Sequence, residues 1–190
     1  MIAIKENFPR FTPEEYFAWE EQQNVRHEYL NGDVYAMTGG TLNHGRIALN
    51  FGFILKAHLR GSGCQVGNSD CRVNIAASTD YTYPDLSVTC DERDRTNTQY
   101  ITYPCLIVEV LSPGTEAYDR GNKFRMYRQN PDLQEYILVD SSSVAIELFR
   151  KKNGDDWQII NYQAGDSIEL KSINLIFPIE QVYEDITFGK

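Results

Sequence analysis

The sequence predicts an α/β fold in which helices and strands share one domain. Its 190 residues are 42% hydrophobic and 12% aromatic, which is ordinary for a globular protein. A chain of this length buries roughly 70% of its unfolded surface, so its core needs neither a metal nor a disulfide framework. Apolar positions at helical spacing in residues 42–59 and an apolar run at 105–111 indicate a long helix and a central strand. We expect a single domain over residues 1–190.

The first predicted elements are a helix and a hairpin. The motif TPEE at residues 12–15 supplies an N-cap, a proline at the first helical position and a capping-box glutamate, so a helix should cover residues 13–22. Residues 27–30 and 33–37 flank Asn31-Gly32, which tolerates the positive φ angles of a type I′ turn. These two segments should therefore pair as a hairpin.

The long helix over residues 42–59 has apolar residues every three or four positions and ends near Gly61. Strands are predicted next at residues 65–68, 71–75, 85–90 and 105–111. In the last of these strands Glu109 is the only charge in an apolar run, which indicates a central strand covered on both faces.

The SPGT motif at residues 112–115 breaks the central strand, and a second helix should follow over residues 118–129. Four later segments predict a more exposed antiparallel extension of the sheet. They cover residues 135–139, 144–150, 157–162 and 168–170, and a short helix within 177–186 should close the fold.

The composition limits the possible functions and locations. Eighteen basic against 27 acidic residues give a net charge of −9, which disfavours a general DNA-coating role. The four cysteines, Cys64, Cys71, Cys90 and Cys105, form no CxxC pair and are expected to be buried reduced thiols of a cytoplasmic protein. The longest apolar run is too short to cross a membrane, and we predict no membrane partner.

Two acids lie where acids are costly to bury, namely Asp85 at the start of a strand and Glu109 in the central strand. If these strands are neighbours, two carboxylates about 5 Å apart would repel each other by about 3 kcal/mol at an effective dielectric constant near 20. A divalent cation would remove this cost, and oxygen ligands suit Mg²⁺ or Mn²⁺. The Val110 carbonyl is a natural further ligand.

Lys123 lies on the helix that follows the central strand, so its ammonium could fold back over the two carboxylates. Asp119 and Tyr127 lie four residues on either side and could orient it. The same helix carries Arg120, Arg125 and Arg128, which make a local basic patch. Other interpretations remain open. Asp85 could simply bind backbone, Glu109 and Lys123 could be a structural ion pair, and the arginines could be an exposed helix face.

Together these motifs resemble the bacterial "putative restriction endonuclease" family of the PD-(D/E)XK nuclease superfamily. The motifs that carry the resemblance are Pro84-Asp85, VEVLSP at 108–113, Tyr118-Asp119-Arg120 with Lys123 and Tyr127, and EYILVD at 135–140. The likeness extends to RHEYL at 26–30 with Asn31-Gly32 and to Asn43-His44, so it covers nearly the whole chain.

The resemblance implies a restriction-endonuclease-like core, in which helices pack on a mixed central sheet. It also implies metal carboxylates at Asp85 and Glu109, an auxiliary glutamate at Glu28, and Mg²⁺-dependent hydrolysis of a phosphodiester. The superfamily motif has a lysine two residues after the glutamate, where this chain has Leu111, and Lys123 on the next helix matches the family's displaced lysine. A glutamate in a hairpin usually faces solvent, so the role of Glu28 stays open.

We therefore predict a metal-dependent endonuclease that uses Mg²⁺ or Mn²⁺ on Asp85, Glu109 and the Val110 carbonyl, with Lys123 as electrostatic catalyst and Glu28 as auxiliary. The expected partner is nucleic acid, with double-stranded DNA favoured. A homodimer is also expected, because cutting both strands conveniently uses two active sites. The alternative is a non-catalytic binding or dimeric assembly protein that has kept the nuclease fold.

Overall fold

A computed structural model describes residues 3–5, 8–37, 39–75, 79–114 and 116–189. Thr38 and Thr115, which belong to two of the predicted loops, lie outside the described residues. The strands within these ranges are β1 (Ala3–Lys5), β2 (His27–Leu30), β3 (Asp33–Met37), β4 (Gln65–Asn68), β5 (Val73–Asn74), β6 (Tyr81–Thr82), β7 (Leu86–Thr89), β8 (Pro104–Leu111), β9 (Glu135–Asp140), β10 (Ala145–Lys151), β11 (Trp157–Gln163), β12 (Ser167–Leu170) and β13 (Leu175–Pro178).

Three α-helical segments accompany these strands. They are α1 (Pro13–Glu20), α2 (Leu42–His58) and α3, which spans 116–127 and consists of Glu116–Tyr118, a π turn at Asp119–Lys123 and Phe124–Tyr127. Short 3₁₀ turns cover Glu92–Thr96, Lys171–Ile173 and Ile179–Gln181. None of the described helices is long and apolar enough to cross a membrane.

The strands form one mixed sheet and two antiparallel sheets. The mixed sheet has the order β11-β10-β9-β8-β7-β4, in which only the β8–β9 pair is parallel. The second sheet has the order β1-β3-β2-β6-β5, and β12 pairs with β13. A parallel neighbour for β8 requires a crossover connection, which α3 provides.

The predicted helix and hairpin near residues 12–37 are confirmed. In the capping box of α1, the Thr12 N–H donates to Glu15 Oε2 at 2.8 Å and the Glu15 N–H donates to Thr12 Oγ1 at 3.3 Å. The helix ends at Glu20, two residues earlier than predicted. Strands β2 and β3 pair across Asn31 and Gly32, whose φ angles are +52° and +87°. The hairpin therefore has the turn that its sequence predicts.

Helix α2 and the mixed sheet enclose the main core. The α2 side chains of Ile47, Phe51 and Leu55 are buried against strand residues that include Val108 and Val110. Successive residues of a strand point to opposite faces, so the odd positions of β8 face the other side of the sheet. On that side Ile107 and other buried residues pack with Tyr127 of α3 in a second cluster. Glu109 therefore points toward α3.

The prediction of a central strand is confirmed, because every residue of β8 is buried and two strands lie on its β7 side and three on its β9 side. The predicted antiparallel pairing of β9 with β10 is confirmed, but the predicted exposure of β9 is wrong. We expected this segment to belong to an exposed antiparallel extension, but it is almost wholly buried and runs parallel to β8. The antiparallel extension begins only at β10. The expected closing helix is limited to the 3₁₀ turn at Ile179–Gln181, after strand β13.

The prediction of reduced thiols is wrong for two of the four cysteines. Cys64 and Cys90 form a disulfide, whereas Cys71 and Cys105 are free. The two bonded cysteines flank the paired strands β4 and β7, in which Gln65 lies opposite Thr89. They are thus cross-strand neighbours, and their pairing removes the thiol-based support for a cytoplasmic location.

We expect Gly32→Ala to destabilise the protein by about 1 to 2 kcal/mol, because an L-residue is strained at a φ of +87°. Urea unfolding measures this loss. Gly39→Ala is the control, since Gly39 lies in a loop, has no positive φ and leaves open space for a Cβ. Equal midpoints for the two variants would contradict the strain argument.

Candidate active site

A buried lysine joins three separate elements of the fold. The Nζ atom of Lys123 on α3 lies 2.8 Å from Glu109 Oε1 on β8 and 3.3 Å from Glu28 Oε1 on β2. Asp119, one turn earlier on α3, places Oδ1 at 4.0 Å from the same nitrogen. All four side chains are buried. The structure therefore brings together three of the four side chains predicted to be catalytic.

Glu109 is buried in a largely apolar strand, and this burial raises its pKa to about 8 although the Lys123 ammonium favours the ionised form. The charges of Asp119 and Asp85 also raise this pKa. The Tyr127 hydroxyl donates to Glu109 Oε1 at 3.5 Å. The charge of Lys123 alone is therefore not enough to keep Glu109 ionised at neutral pH.

Lys123 remains an ammonium ion. Burial alone would lower its pKa, but the negative charges of Glu109 and Glu28 outweigh burial and hold the pKa of Lys123 well above its usual value. An amine with such a high pKa cannot act as a general base near neutral pH. Its available role is to supply a fixed positive charge in a site of low dielectric constant.

Asp85 occupies the point where β7 begins. Its Oδ2 atom accepts a 2.7 Å hydrogen bond from the Val110 N–H and lies 3.2 Å from Nε2 of His44 on α2, although Nε2 is not aligned for a hydrogen bond. Burial alone would raise the pKa of Asp85, but His44 and the Val110 N–H lower it below the usual value. Asp85 is therefore held as a carboxylate beside the backbone of β8.

Two buried polar groups near Lys123 make no hydrogen bond with the described residues. They are Glu28 Oε2 and the Tyr118 hydroxyl. Burial and then the charge of Glu28 raise the pKa of Tyr118, so the two groups interact and the phenol stays protonated. Glu28 is only 2% exposed, in contrast to the solvent-facing position usual for a hairpin glutamate. An unpaired buried acceptor and donor are costly unless a ligand or water binds them.

The charges of this cluster are unbalanced. Three buried carboxyl groups, on Glu28, Glu109 and Asp119, lie within 4.0 Å of one buried ammonium group, on Lys123, and the charge of a fourth, on Asp85, acts on Glu109. No three His, Cys, Asp or Glu side chains in the described part of the chain are arranged to hold a metal ion together. Mg²⁺ commonly binds through only one or two carboxylates and keeps several waters, so such an ion does not need three of these side chains.

Sequence reasoning assigned no role to Tyr118 and left two roles open for His44, substrate contact and packing or capping. The signals were present, because both residues lie in the motifs that carry the family resemblance. The predicted basic patch is only partly available. Arg120 is paired with Glu116 and Glu147, whereas Arg125 and Arg128 are exposed.

Comparisons with known proteins agree with this fold and identify the family. The model of the Uma2 family, described as "Putative restriction endonuclease", matches residues 13–180. Two proteins of Synechocystis sp. are similar to this chain. "Uncharacterized protein slr1290" is 54% identical over 95% of both chains, and "Uncharacterized protein sll1609" is 33% identical over 84% of this chain and 91% of its own.

One similar solved structure is described as a putative nuclease belonging to DUF820 from Anabaena variabilis ATCC 29413. It superimposes with a TM-score of 0.73 and covers 91% of this chain and 97% of its own, at 15% sequence identity. At this identity the likeness concerns the fold alone. The family resemblance and the mixed α/β fold predicted from the sequence are confirmed.

We expect Lys123→Met to destabilise the protein by about 3 to 5 kcal/mol in metal-free urea unfolding at pH 7, because it leaves buried carboxylates without their cation. Adding Glu28→Gln should recover part of this loss, since it removes a buried carboxylate that contacts Lys123 in the natural chain. Lys152→Met, at an exposed lysine, should change stability by no more than about 0.5 kcal/mol. A single Lys123→Met variant as stable as Lys152→Met would contradict the buried-pair assignment.

Proposed function

The chain belongs to the Uma2 "Putative restriction endonuclease" family, and we propose that it is a metal-dependent endonuclease that hydrolyses phosphodiester bonds in DNA. The observation that carries the proposal is the buried Lys123 ammonium, which contacts Glu109 and Glu28 beside Asp85. A nuclease must stabilise negative charge that accumulates on a phosphate, and a buried fixed cation does so more strongly than one in water.

A divalent cation, Mg²⁺ or Mn²⁺, fits the cluster because buried carboxyl groups outnumber the ammonium and Glu28 Oε2 has no hydrogen-bond donor among the described residues. Asp85, Glu109 and the Val110 carbonyl would hold it. When bound, the cation supplies Lewis-acid activation of water and of the phosphate. The raised pKa of Glu109 means that a cation must displace a proton there near neutral pH.

The chain's own groups would share the remaining work. Lys123 keeps its charge and stabilises the phosphate oxygens as water attacks the phosphorus atom and the bond to the leaving oxygen breaks. Glu28 Oε2 is an available acceptor for a hydrogen bond from the attacking water, and the Tyr118 hydroxyl is an available donor to it. Val110 N–H and His44 hold Asp85 ionised and in place.

The preferred substrate in this proposal is double-stranded DNA, cut by a homodimer with one active site per strand. We propose that residues 1–190 act as one domain in each subunit. The exposed Arg125 and Arg128 on α3 offer cationic contacts to phosphates, which the net charge of −9 does not otherwise favour.

The rival interpretation is a non-catalytic binding or assembly protein whose acids are structural. It is favoured by the direct Glu109–Lys123 contact and by the hydrogen bond from the Val110 N–H to Asp85, since each partner is already satisfied. Glu28 Oε2 and the Tyr118 hydroxyl favour the enzyme, because a scaffold gains nothing from buried groups without partners.

We expect Mn²⁺ at about a hundredfold excess over its Kd to raise the thermal midpoint by about 5 to 10 °C, because a ligand of the native state stabilises it. Asp85→Asn should abolish the shift by removing a proposed ligand. Glu92→Gln, at an exposed acid, should keep it. No shift for the natural chain, or an equal shift for Asp85→Asn, would support the structural interpretation.

We expect the natural chain to nick supercoiled plasmid in Mg²⁺ or Mn²⁺, and Glu109→Gln to slow nicking by about 10² to 10³-fold, because the variant loses a charged oxygen ligand in a buried site. Glu92→Gln is again the matched control. Equal nicking by Glu109→Gln, or none by the natural chain under either cation, would refute the proposed activity.

A further inference from the structure

A groove runs along α2 and leads to the candidate active site. It has a volume of about 630 Å³ and lies between α2 and the segment that contains β4 and the turn after it. Lys56 lies on its lining near the C-terminal end of α2, and His44 and Asp85 line it at the other end of the helix. A volume of this size accommodates a small organic ligand.

The side of the groove formed by α2 contains three residues with small or no side chains. Gly45, Ala48 and Gly52 occupy its lining, and nothing lies within 4 Å of a Cβ built at Gly45. Glycine in a helix interior is less stable than any other residue except proline. Packing therefore does not require glycine at position 45, and helix stability disfavours it. Gly45 instead leaves this part of the helix surface flat and open to a ligand.

Apolar side chains and one buried imidazole complete the lining. Leu49 and Phe53 are 72% and 73% exposed, so Phe53 offers the face of an aromatic ring to a ligand. At the inner end His44 is buried, and its Nε2 atom makes no hydrogen bond with the described residues. The groove therefore combines an apolar stacking surface with the buried His44–Asp85 pair at its inner end.

The charge of this region differs from that of the whole chain. Residues 34–69 contain Arg46, Lys56 and Arg60 but no Asp or Glu, although the chain has 27 acidic residues. This span includes all of α2 and β4. Of the charged residues that line the groove, Lys56 lies at the outer end and Asp85 at the inner end, so an anionic backbone is favoured at the Lys56 end.

We propose that the groove binds an unpaired nucleobase of the strand whose phosphodiester enters the candidate active site. The inference rests on the proposed nuclease function and narrows its double-stranded substrate to sites at which one base has left the duplex. Bases stack on aromatic side chains whatever their identity, while a cationic side chain contacts the backbone. Phe53 and Lys56 provide these two contacts, and continuity with Asp85 leads the strand toward the proposed metal ligands.

An intact duplex fits this lining less well. It presents phosphates on its outside and keeps its base faces stacked, so it cannot use the exposed ring of Phe53. A base from a single strand, or one displaced from a duplex, presents its face at the cost of unstacking. The groove itself should therefore bind a single strand more tightly than a duplex of the same sequence, because the duplex must first displace a base.

The test measures binding of fluorescent oligonucleotides of about 12 nucleotides in EDTA, where metal-dependent cleavage cannot occur. The probes are a DNA single strand, the corresponding DNA duplex and an RNA single strand. Fluorescence anisotropy should show tighter binding of a single strand than of the duplex. Comparison of the DNA and RNA single strands shows which nucleic acid supplies the base. Tighter binding of the duplex would overturn the proposal.

The decisive variant is Gly45→Leu, which fills the groove and improves the helix. It should raise the thermal midpoint by about 2 to 4 °C, because leucine is the better helix former, and still weaken single-strand binding by about tenfold or more. Ala57→Leu adds the same side chain to α2 outside the groove and should bind as the natural chain does. Unchanged binding by Gly45→Leu would overturn the proposal.

Phe53 gives a second, independent test. Phe53→Ala should weaken single-strand binding by about tenfold, and Phe53→Trp should restore it by preserving a stacking surface. Ile176→Ala, at another exposed apolar residue outside the groove, is the control. Equal binding by Phe53→Ala and the natural chain would remove the stacking contact and with it the proposal.

Sedimentation of the same variants tests the other possible occupant of the groove, which is a second copy of the chain. If Gly45→Leu and Phe53→Ala dissociate a dimer and leave oligonucleotide binding unchanged, the groove is a subunit interface and the proposal is wrong. If the proposed nuclease function is wrong, the natural chain will neither nick plasmid nor bind any of the probes. Nicking by the natural chain with unchanged binding by the variants refutes only the groove assignment.

Discussion

The arrangement of this protein's candidate site depends on one buried ammonium ion. Lys123 contacts Glu109 and Glu28, which come from the central strand and from the N-terminal hairpin. Each acid would be costly to bury alone, and each stabilises the charge of the lysine. The ion pair therefore connects the mixed sheet, the second sheet and the crossover helix α3 at one point. Any ligand of the site enters a region in which the protein has already oriented its charges.

Sequence could predict the parts of the site that depend on local rules. The TPEE motif and Asn31-Gly32 act within a few residues, so the helix α1 and the hairpin followed directly from them. The apolar run around Glu109 likewise identified a central strand. Because side chains alternate along a strand, Glu109 shares a face with Leu111. That face is covered by α3, and this explains how a lysine on the helix can approach the carboxyl although Leu111 occupies the motif position.

Sequence could not predict features that depend on strand register. Cys64 and Cys90 are 26 residues apart and meet only because Gln65 pairs with Thr89 in the β4–β7 ladder. The burial of Glu28 depends on the packing of β2 and β6 side by side beside α3, and a hairpin pattern carries no such information. The apolar residues of β9 signalled burial and its antiparallel pairing with β10 was predicted, but a sequence pattern does not show that its other edge pairs in parallel with β8.

The π turn in α3 makes the site sensitive to changes in chain length. A π turn contains one residue more than an α turn, and successive helix residues are about 100° apart around the axis. Losing one codon within 119–123 would restore regular α geometry and rotate Tyr118 by that angle relative to Phe124 and Tyr127, which are anchored in the core. Single-residue insertions and deletions, rather than substitutions, are therefore the evolutionary events that this helix tolerates least.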